Sequence, residues 1–241
     1  MYNSKGFKKK KSLIRRILRF FVLLFLFCIV FPIIQVVVLK FVDPPVSMMM
    51  MYKFCENLID SKPISFKHEN VNYEDINPTL FQAIVAGEDQ RFFEHSGFDL
   101  VEIDKAMAEQ KKHKKKKIRG ASTLTQQTAK NLFLIPTRSF VRKGIEAYYT
   151  ILMEIFWSKK RIIEIYANIV EFGPNIYGAE AASMYHFKKH AKKLYTWQSA
   201  RLAAVLPNPI RWSASKPSNY IRLRTNWIVS QMVALPSEMR E

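Results

Sequence analysis

Cysteine and glycine are scarce in this chain, and acidic residues are outnumbered by basic ones. Only two cysteines occur in 241 residues. Cys28 lies inside a long apolar run and Cys55 shortly after it, so the two belong to different phases and no structural disulfide is expected. Seven glycines without a repeat period exclude collagen-like and low-complexity classes. With 20 acidic residues against 38 basic ones, the formal charge is +18. A field of that sign attracts polyanions, whether nucleic acid, anionic lipid headgroups or a pyrophosphate-bearing substrate. Charge by itself does not choose among them.

Apolar residues are plentiful. They make up 49% of the chain against 24% charged, the balance of a folded protein. From Phe20 to Leu39 the chain reads FFVLLFLFCIVFPIIQVVVL, without a charge. As a helix this run spans about 30 Å, the thickness of a bilayer core. It exceeds a usual signal-peptide core and lacks a small-x-small cleavage site, so an uncleaved membrane anchor is expected. Basic residues cluster before it (Lys5, Lys8, Lys9, Lys10, Lys11, Arg15, Arg16, Arg19), while only Lys40 and Lys53 follow closely. The bias predicts a cytoplasmic tail over 1–19, a transmembrane helix over 20–39 and an exported body. An exported body meets lipid headgroups and cell-wall precursors, which argues against nucleic acid as partner. The roughly 200 residues that remain suit one domain or two closely packed lobes.

Asp43-Pro44-Pro45 marks a stiff exit from the membrane, and Met48–Phe54 is an apolar stretch equally compatible with a lipid surface and with a core helix. Ile64–Tyr73 alternates loosely and predicts the only strand or hairpin; the remainder carries helical spacing, so a mainly α fold is expected. Asn77-Pro78 is an N-cap followed by proline, opening a helix that ends near Gly87. Thr123 and Gln126 form a capping box that starts a second helix, ending around Ile135-Pro136. After Ser139, Val141, Ile145, Tyr148, Leu152 and Ile155 recur at steps of four and three, predicting one buried face. Ile162, Ile165, Ile169 and Phe172 repeat the pattern.

Three polar groups carry potential chemistry. Gly87–Gly97 (GEDQRFFEHSG) sets Glu88 and Asp89 at a helix end beside Phe92 and Phe93. A carboxylate desolvated by aromatic rings is shifted toward useful base strength, although helix capping is the commoner use of such a pair. In Gly120–Asn131 (GASTLTQQTAKN), Ser122, Gln126 and Lys130 are spaced by four. They predict a polar stripe whose N-terminal end, at Gly120 and Ser122, holds an anion. The preceding basic run, Lys111–Lys117, reads as a loop. Arg138, Arg142 and Glu146 recur at steps of four; taken alone, that pattern is most often a surface salt bridge worth about 0–1 kcal/mol.

Taken together, these segments resemble the peptidoglycan glycosyltransferases, of the monofunctional biosynthetic type that lacks a transpeptidase domain. Five motifs appear in order: Glu88-Asp89-x-x-Phe92-x-x-His95-x-Gly97; Gly120-x-Ser122-Thr123-x-x-Gln126-Gln127-x-x-Lys130-Asn131; Arg142-Lys143-x-x-Glu146; Lys159-x-x-Ile162-Ile163-x-x-Tyr166-Ala167-Asn168; and Arg201-x-Ala203-x-Val205-Leu206-Pro207. Ile163 and Ala167 stand where leucines are usual, a packing difference. The resemblance covers residues 43–235 and implies a lysozyme-like catalytic lobe beside a smaller membrane-proximal jaw.

It also implies that Glu88 is the general base toward the 4-hydroxyl of an acceptor lipid II. Lys130 and Arg138 would hold the donor pyrophosphate, with Ser122, Gln126, Asn131 and Arg142 lining the site. Glu146 would assist departure of the lipid pyrophosphate, directly or through a divalent ion such as Mg or Mn, and those alternatives stay open. No residue is assigned as a metal ligand, and no organic cofactor is expected. The implied partners are lipid II, the nascent glycan chain, membrane lipids and other cell-wall synthesis or division proteins. His95 reads as a packed core histidine.

A lytic enzyme that cleaves existing glycan would not need the Ser122, Lys130 and Arg138 set or a retained anchor. A basic membrane scaffold would leave Glu88 dispensable. Ser213-Ala-Ser-Lys216 matches the S-x-x-K of transpeptidases by chance, since no K-T-G follows.

Overall fold

The computed structural model describes residues 4–61, 65–112 and 122–235. Two compact units result, Met1–Val42 and Asp43–Glu241.

The first unit is a single helix, α1 (Ser4–Leu39), with Pro32 inside it. Its stretch Ile14–Leu39 is long and apolar enough to cross a membrane. The helix begins well before the apolar run, so the basic segment predicted as a separate tail continues the same helix.

The second unit is mainly helical. In order come α2 (Met48–Ile59), β1 (Lys67–His68), α3 (Pro78–Glu88), α4 (Leu100–Lys112), α5 (Leu124–Phe133), α6 (Phe140–Phe156), α7 (Lys159–Ile169), β2 (Glu171–Gly173), β3 (Ile176–Tyr177), α8 (Ala179–Phe187), α9 (Thr196–Val205) and α10 (Asn219–Ala234). Helix α3 packs against α9 and α10, while α5 packs against α6 and α7.

Helix α3 is the centre of the first group. Asn77 caps it by accepting from Thr79 N at 3.0 Å, and Pro78 occupies the first turn. Leu80, Phe81, Ala83, Ile84, Val85 and Ala86 are all buried, so the helix is apolar almost all round. Each fully buried large aliphatic side chain contributes about 1.5–3 kcal/mol. A Cβ on Gly87 would meet Ile228 Cδ1 at 3.2 Å, which shows how closely α10 lies over the last turn. The position of Glu88 is therefore set by a dense core.

Two expectations need correction. The segment 64–73 does contain a strand, β1, but it is neither a hairpin nor the only strand: β1 pairs in parallel with β3, which pairs antiparallel with β2. The turn between β2 and β3 carries Pro174 and Asn175, the latter at φ +59. Phe172, Ile176 and Tyr177 are all buried, so no polar alternation betrayed these strands. The second correction concerns α6. Its buried residues are Glu146, Tyr149, Thr150, Leu152 and Met153. Val141 (73% exposed), Ile145 (41%) and Ile155 (66%) of the predicted core face lie open. Tyr149 stacks on Phe133 of α5 at 4.1 Å between ring centres, and that contact sets the orientation. Periodicity finds an apolar stripe but does not say what covers it. In α7, by contrast, Ile162, Ile165 and Ile169 are buried as expected, as is Phe172. On α2, Met50 is buried while Met51, Phe54, Leu58 and Ile59 are exposed.

Candidate active site

Glu88 ends α3, and its side chain is only 12% exposed. It lines two adjoining clefts of about 350 and 810 Å³, both of which also reach Ser122. The larger is walled by Gln127, Asn208, Trp212, Tyr220 and Arg224. The Gln127 amide Nε2 donates to Glu88 Oε2 at 3.1 Å, and Tyr166 OH donates to Gln127 Oε1 at 3.2 Å. Arg224 Nη2 stands 3.5 Å from Glu88 Oε1, too far to hydrogen-bond well. Among the described residues Oε1 has no hydrogen-bond partner.

Burial pushes the Glu88 carboxyl above the usual carboxylate range, and Asp89 adds to the rise. Gln127, Arg224 and Lys130 oppose it. The outcome is a carboxylate of raised basicity with one oxygen tethered to Gln127 and the other buried beside Arg224 without a hydrogen bond, suited to accept a proton.

Asp89 does different work. Its Oδ2 accepts from the backbone N–H of Leu124 at 2.9 Å, and His95 Nε2 lies 2.9 Å from its Oδ1. It thus caps α5 while fixing the turn after α3. His95 is a packed histidine, as expected, with its side chain 7% exposed. Thr123 Oγ1 donates to the Gly97 carbonyl at 2.6 Å, and Lys159 Nζ donates to the His95 carbonyl at 2.6 Å. Lys159 also pairs with Glu154 at 2.8 Å, which accepts from Thr125 Oγ1 at 2.6 Å. Residues of the first, second and fourth motifs are thereby locked into one framework.

Lys130 lies on α5, half-buried. Burial pulls its pKa below the usual value; the nearby charge of Glu146 and, more weakly, of Glu88 opposes this, while Arg142 and Lys143 add to the fall. Lys130 is thus in electrostatic reach of both proposed acidic groups. Glu146 is buried, with Oε2 taken by Arg142 Nη1 at 2.6 Å and Oε1 by Lys143 Nζ at 2.5 Å. The surface salt bridge anticipated from spacing is a buried carboxylate ringed by cations. Both its oxygens are held by positive groups, so a divalent ion at Glu146 would take the place of Lys143 or Arg142. One other set, Asp89, His95 and Asp99, brings possible ligand atoms within 4.8 Å of one another. Those atoms are also committed: Asp89 to His95 and Leu124, Asp99 to Arg91 at 3.2 Å.

The predicted stripe is only partly assembled. Thr123 is the N-cap of α5, so Ser122 precedes the helix and lies exposed. Gln126 spends its side chain on the capping box, accepting from Thr123 N at 3.1 Å, and is 5% exposed. Asn131 is buried one residue beyond Lys130. Arg138 is exposed in the segment before α6 rather than on the helix with Arg142 and Glu146. Gly120 and the basic residues beyond Lys112 lie outside the described residues.

Gln127, Tyr166 and Arg224 were not singled out by spacing. A step of three back from Lys130 reaches Gln127, on the helix face that points at Glu88; the step of four reached Gln126 instead. Arg224 comes from α10 with no local signal at all.

Residues 56–233 match the family model described as Transglycosylase. The chain is 51% identical over 201 residues to a protein of Shewanella oneidensis named biosynthetic peptidoglycan transglycosylase, covering 83% of this chain and 84% of that one. Proteins of the same name from Bacteroides thetaiotaomicron (46% over 223 residues; 92% and 89% covered) and Pseudomonas aeruginosa (43% over 222 residues; 92% and 93%) are similar along nearly their whole lengths. With a family match over most of the folded unit and relatives of this identity, the chain belongs to the transglycosylase family, whose catalytic domain is lysozyme-like.

Proposed function

We propose that this protein polymerises lipid-linked disaccharide into peptidoglycan strands, with Glu88 as general base. Membership in the family makes it a peptidoglycan glycosyltransferase of cell-wall biogenesis, acting on lipid II and glycan. The observation that carries the finer reading is the environment of Glu88: a largely buried carboxylate with one oxygen without a hydrogen bond, at the wall of two clefts and within electrostatic reach of Lys130.

In the proposed step, the Glu88 carboxylate takes the proton from the 4-hydroxyl of an acceptor lipid II. The acceptor's 4-oxygen, freed of its proton, attacks the anomeric carbon of the growing chain, the bond to the lipid pyrophosphate breaks, and the configuration inverts. The leaving group carries away the electron pair as negative charge, which Lys130, Arg138 and Arg142 are suited to offset. Ser122 and Asn131 would line this donor site; Gln126 would act on it through the helix start that it braces. Glu146 would assist departure of the lipid pyrophosphate by holding Arg142 and Lys143 in place. Two carboxylates working apart on an inverting reaction parallel the inverting hydrolases, with a sugar hydroxyl in place of water.

We further infer that α1 anchors the chain in the cytoplasmic membrane with the N-terminus inside, supported by the excess of Lys and Arg before Phe20. The open apolar residues of α6, Phe140 at 98% exposed and Val141 at 73%, suit contact with lipid. Polar partners would be cell-wall precursors and other synthesis or division proteins, not nucleic acid.

The test is incubation of the detergent-solubilised protein with fluorescent lipid II, the products being resolved on a gel. Glycan ladders support the reading. Unchanged lipid II, or shortening of added glycan without ladders, would reject it in favour of a scaffold or a lytic enzyme.

A further inference from the structure

We propose that Tyr166 is a positioning residue for the polymerisation: its buried hydroxyl fixes the Gln127 amide with the N–H toward Glu88, so that the base meets its substrate ionised. The inference rests on the assignment of Glu88 as base.

Tyr166 lies on α7 and is fully buried. Its hydroxyl has one hydrogen-bond partner among the described residues, Gln127 Oε1, to which it donates at 3.2 Å. Gln127 in turn donates from Nε2 to Glu88 Oε2 at 3.1 Å. A glutamine amide offers one acceptor and one donor end, whereas a phenol both donates and accepts. The chain Tyr166–Gln127–Glu88 therefore has two arrangements. With the amide as found, every proton has an acceptor and the carboxylate receives an N–H, which favours the ionised form of Glu88. With the amide turned over, its carbonyl faces Glu88, an arrangement tolerable only when Glu88 carries a proton. That second arrangement would leave the Tyr166 proton with no acceptor in a dry environment, and an orphaned buried donor is costly. The proton of Tyr166 thus selects the first.

Tyr166 keeps that proton throughout the working range. Burial pushes its pKa well above the usual tyrosine value, and the charge of Glu88 adds to the effect. The other groups facing Glu88 do not depend on Tyr166: Arg224 from α10, Lys130 from α5, and the adjacent Asp89. Gln127 alone transmits the influence.

The experiment compares the full-length wild type, Tyr166→Phe, Gln127→Ala and the double variant in lipid II polymerisation across a range of pH. Phenylalanine keeps the buried ring and removes only the oxygen. Tyr166→Phe should lower kcat about tenfold at neutral pH, the scale of one hydrogen bond to a charged group. KM for lipid II should not change. The acidic limb of the rate profile should move to higher pH, with activity recovering as pH rises, because Glu88 loses a donor that favours its charged form. In the Gln127→Ala background, Tyr166→Phe should add no further loss. A Tyr166→Phe enzyme that melts like wild type and keeps its pH profile would overturn the proposal, as would a full additional loss in the double variant. Should Tyr166→Phe fail to fold, an unmoved acidic limb in Gln127→Ala would overturn it equally. Glu88→Gln run alongside separates the two claims: if it is active, the base assignment falls; if it is inactive while Tyr166→Phe behaves as wild type, only the role of Tyr166 falls.

Discussion

Asp89 Oδ2 accepts the backbone N–H of Leu124 at 2.9 Å, so the residue next to the proposed base caps the helix that carries Lys130. The proposed base and Lys130 are registered to one another by this bond together with the one from Gln127 to Glu88. Asp89→Ala removes it together with the contact to His95. We expect a loss of about 1–3 kcal/mol in stability, from the orphaned helix-start donor and the unpaired histidine. Thermal unfolding reads it; a melting temperature equal to that of wild type would show that α5 needs no such clamp.

Gly97 has φ +86, and a Cβ there would lie 2.7 Å from Thr150 Cγ2. Glycine is required both by the backbone and by the neighbouring helix. Gly97→Ala should destabilise by roughly 2–4 kcal/mol, combining left-handed backbone strain with overpacking. Denaturant unfolding tests it, and a change under half of that would mean that α6 gives way easily.

Lys130 is the cation placed between the two acidic centres. Lys130→Ala should weaken donor engagement about 10- to 100-fold, the range for losing one charge-assisted contact. A titration with a lipid pyrophosphate donor measures it. Unchanged affinity would transfer the role to Arg138 or Arg142.

Cys55 is exposed on α2, and Cys28 lies within the proposed span. In intact cells a membrane-impermeant maleimide should label Cys55 in a Cys28→Ser variant. Labelling only after the membrane is breached would reverse the proposed orientation.

Where local chemistry decides, the fold could be read from residues alone. Asn77-Pro78 and the Thr123/Gln126 box each sit at a helix start because side-chain oxygens satisfy free N–H groups there. Where burial has a partner far along the chain, reading failed. Strand β1 depends on β3, more than a hundred residues on, and the open stripe of α6 depends on which face meets Phe133. The site divides in the same way. Glu88 was visible as a carboxylate beside aromatic residues, and Lys130 and Glu146 as members of polar stripes at steps of four, although not that Glu146 is buried. Gln127 and Tyr166 are uncharged, and their importance lies in an orientation that only three helices together create.

The central claim is that Glu88 is the base, and burial gives it a sign that can be checked. Its folded pKa is raised, so its favourable contribution to stability is present below the unfolded pKa and lost as pH rises through the folded value. At neutral pH the buried charge is a liability, and Glu88→Gln should fold at least as stably as wild type. The most direct measurement is therefore paired: melting temperature and glycan ladders from fluorescent lipid II, for wild type and Glu88→Gln side by side. The account predicts an equal or higher melting temperature with polymerisation reduced at least about 10²-fold. Ladders of wild-type yield from a folded Glu88→Gln protein would contradict it.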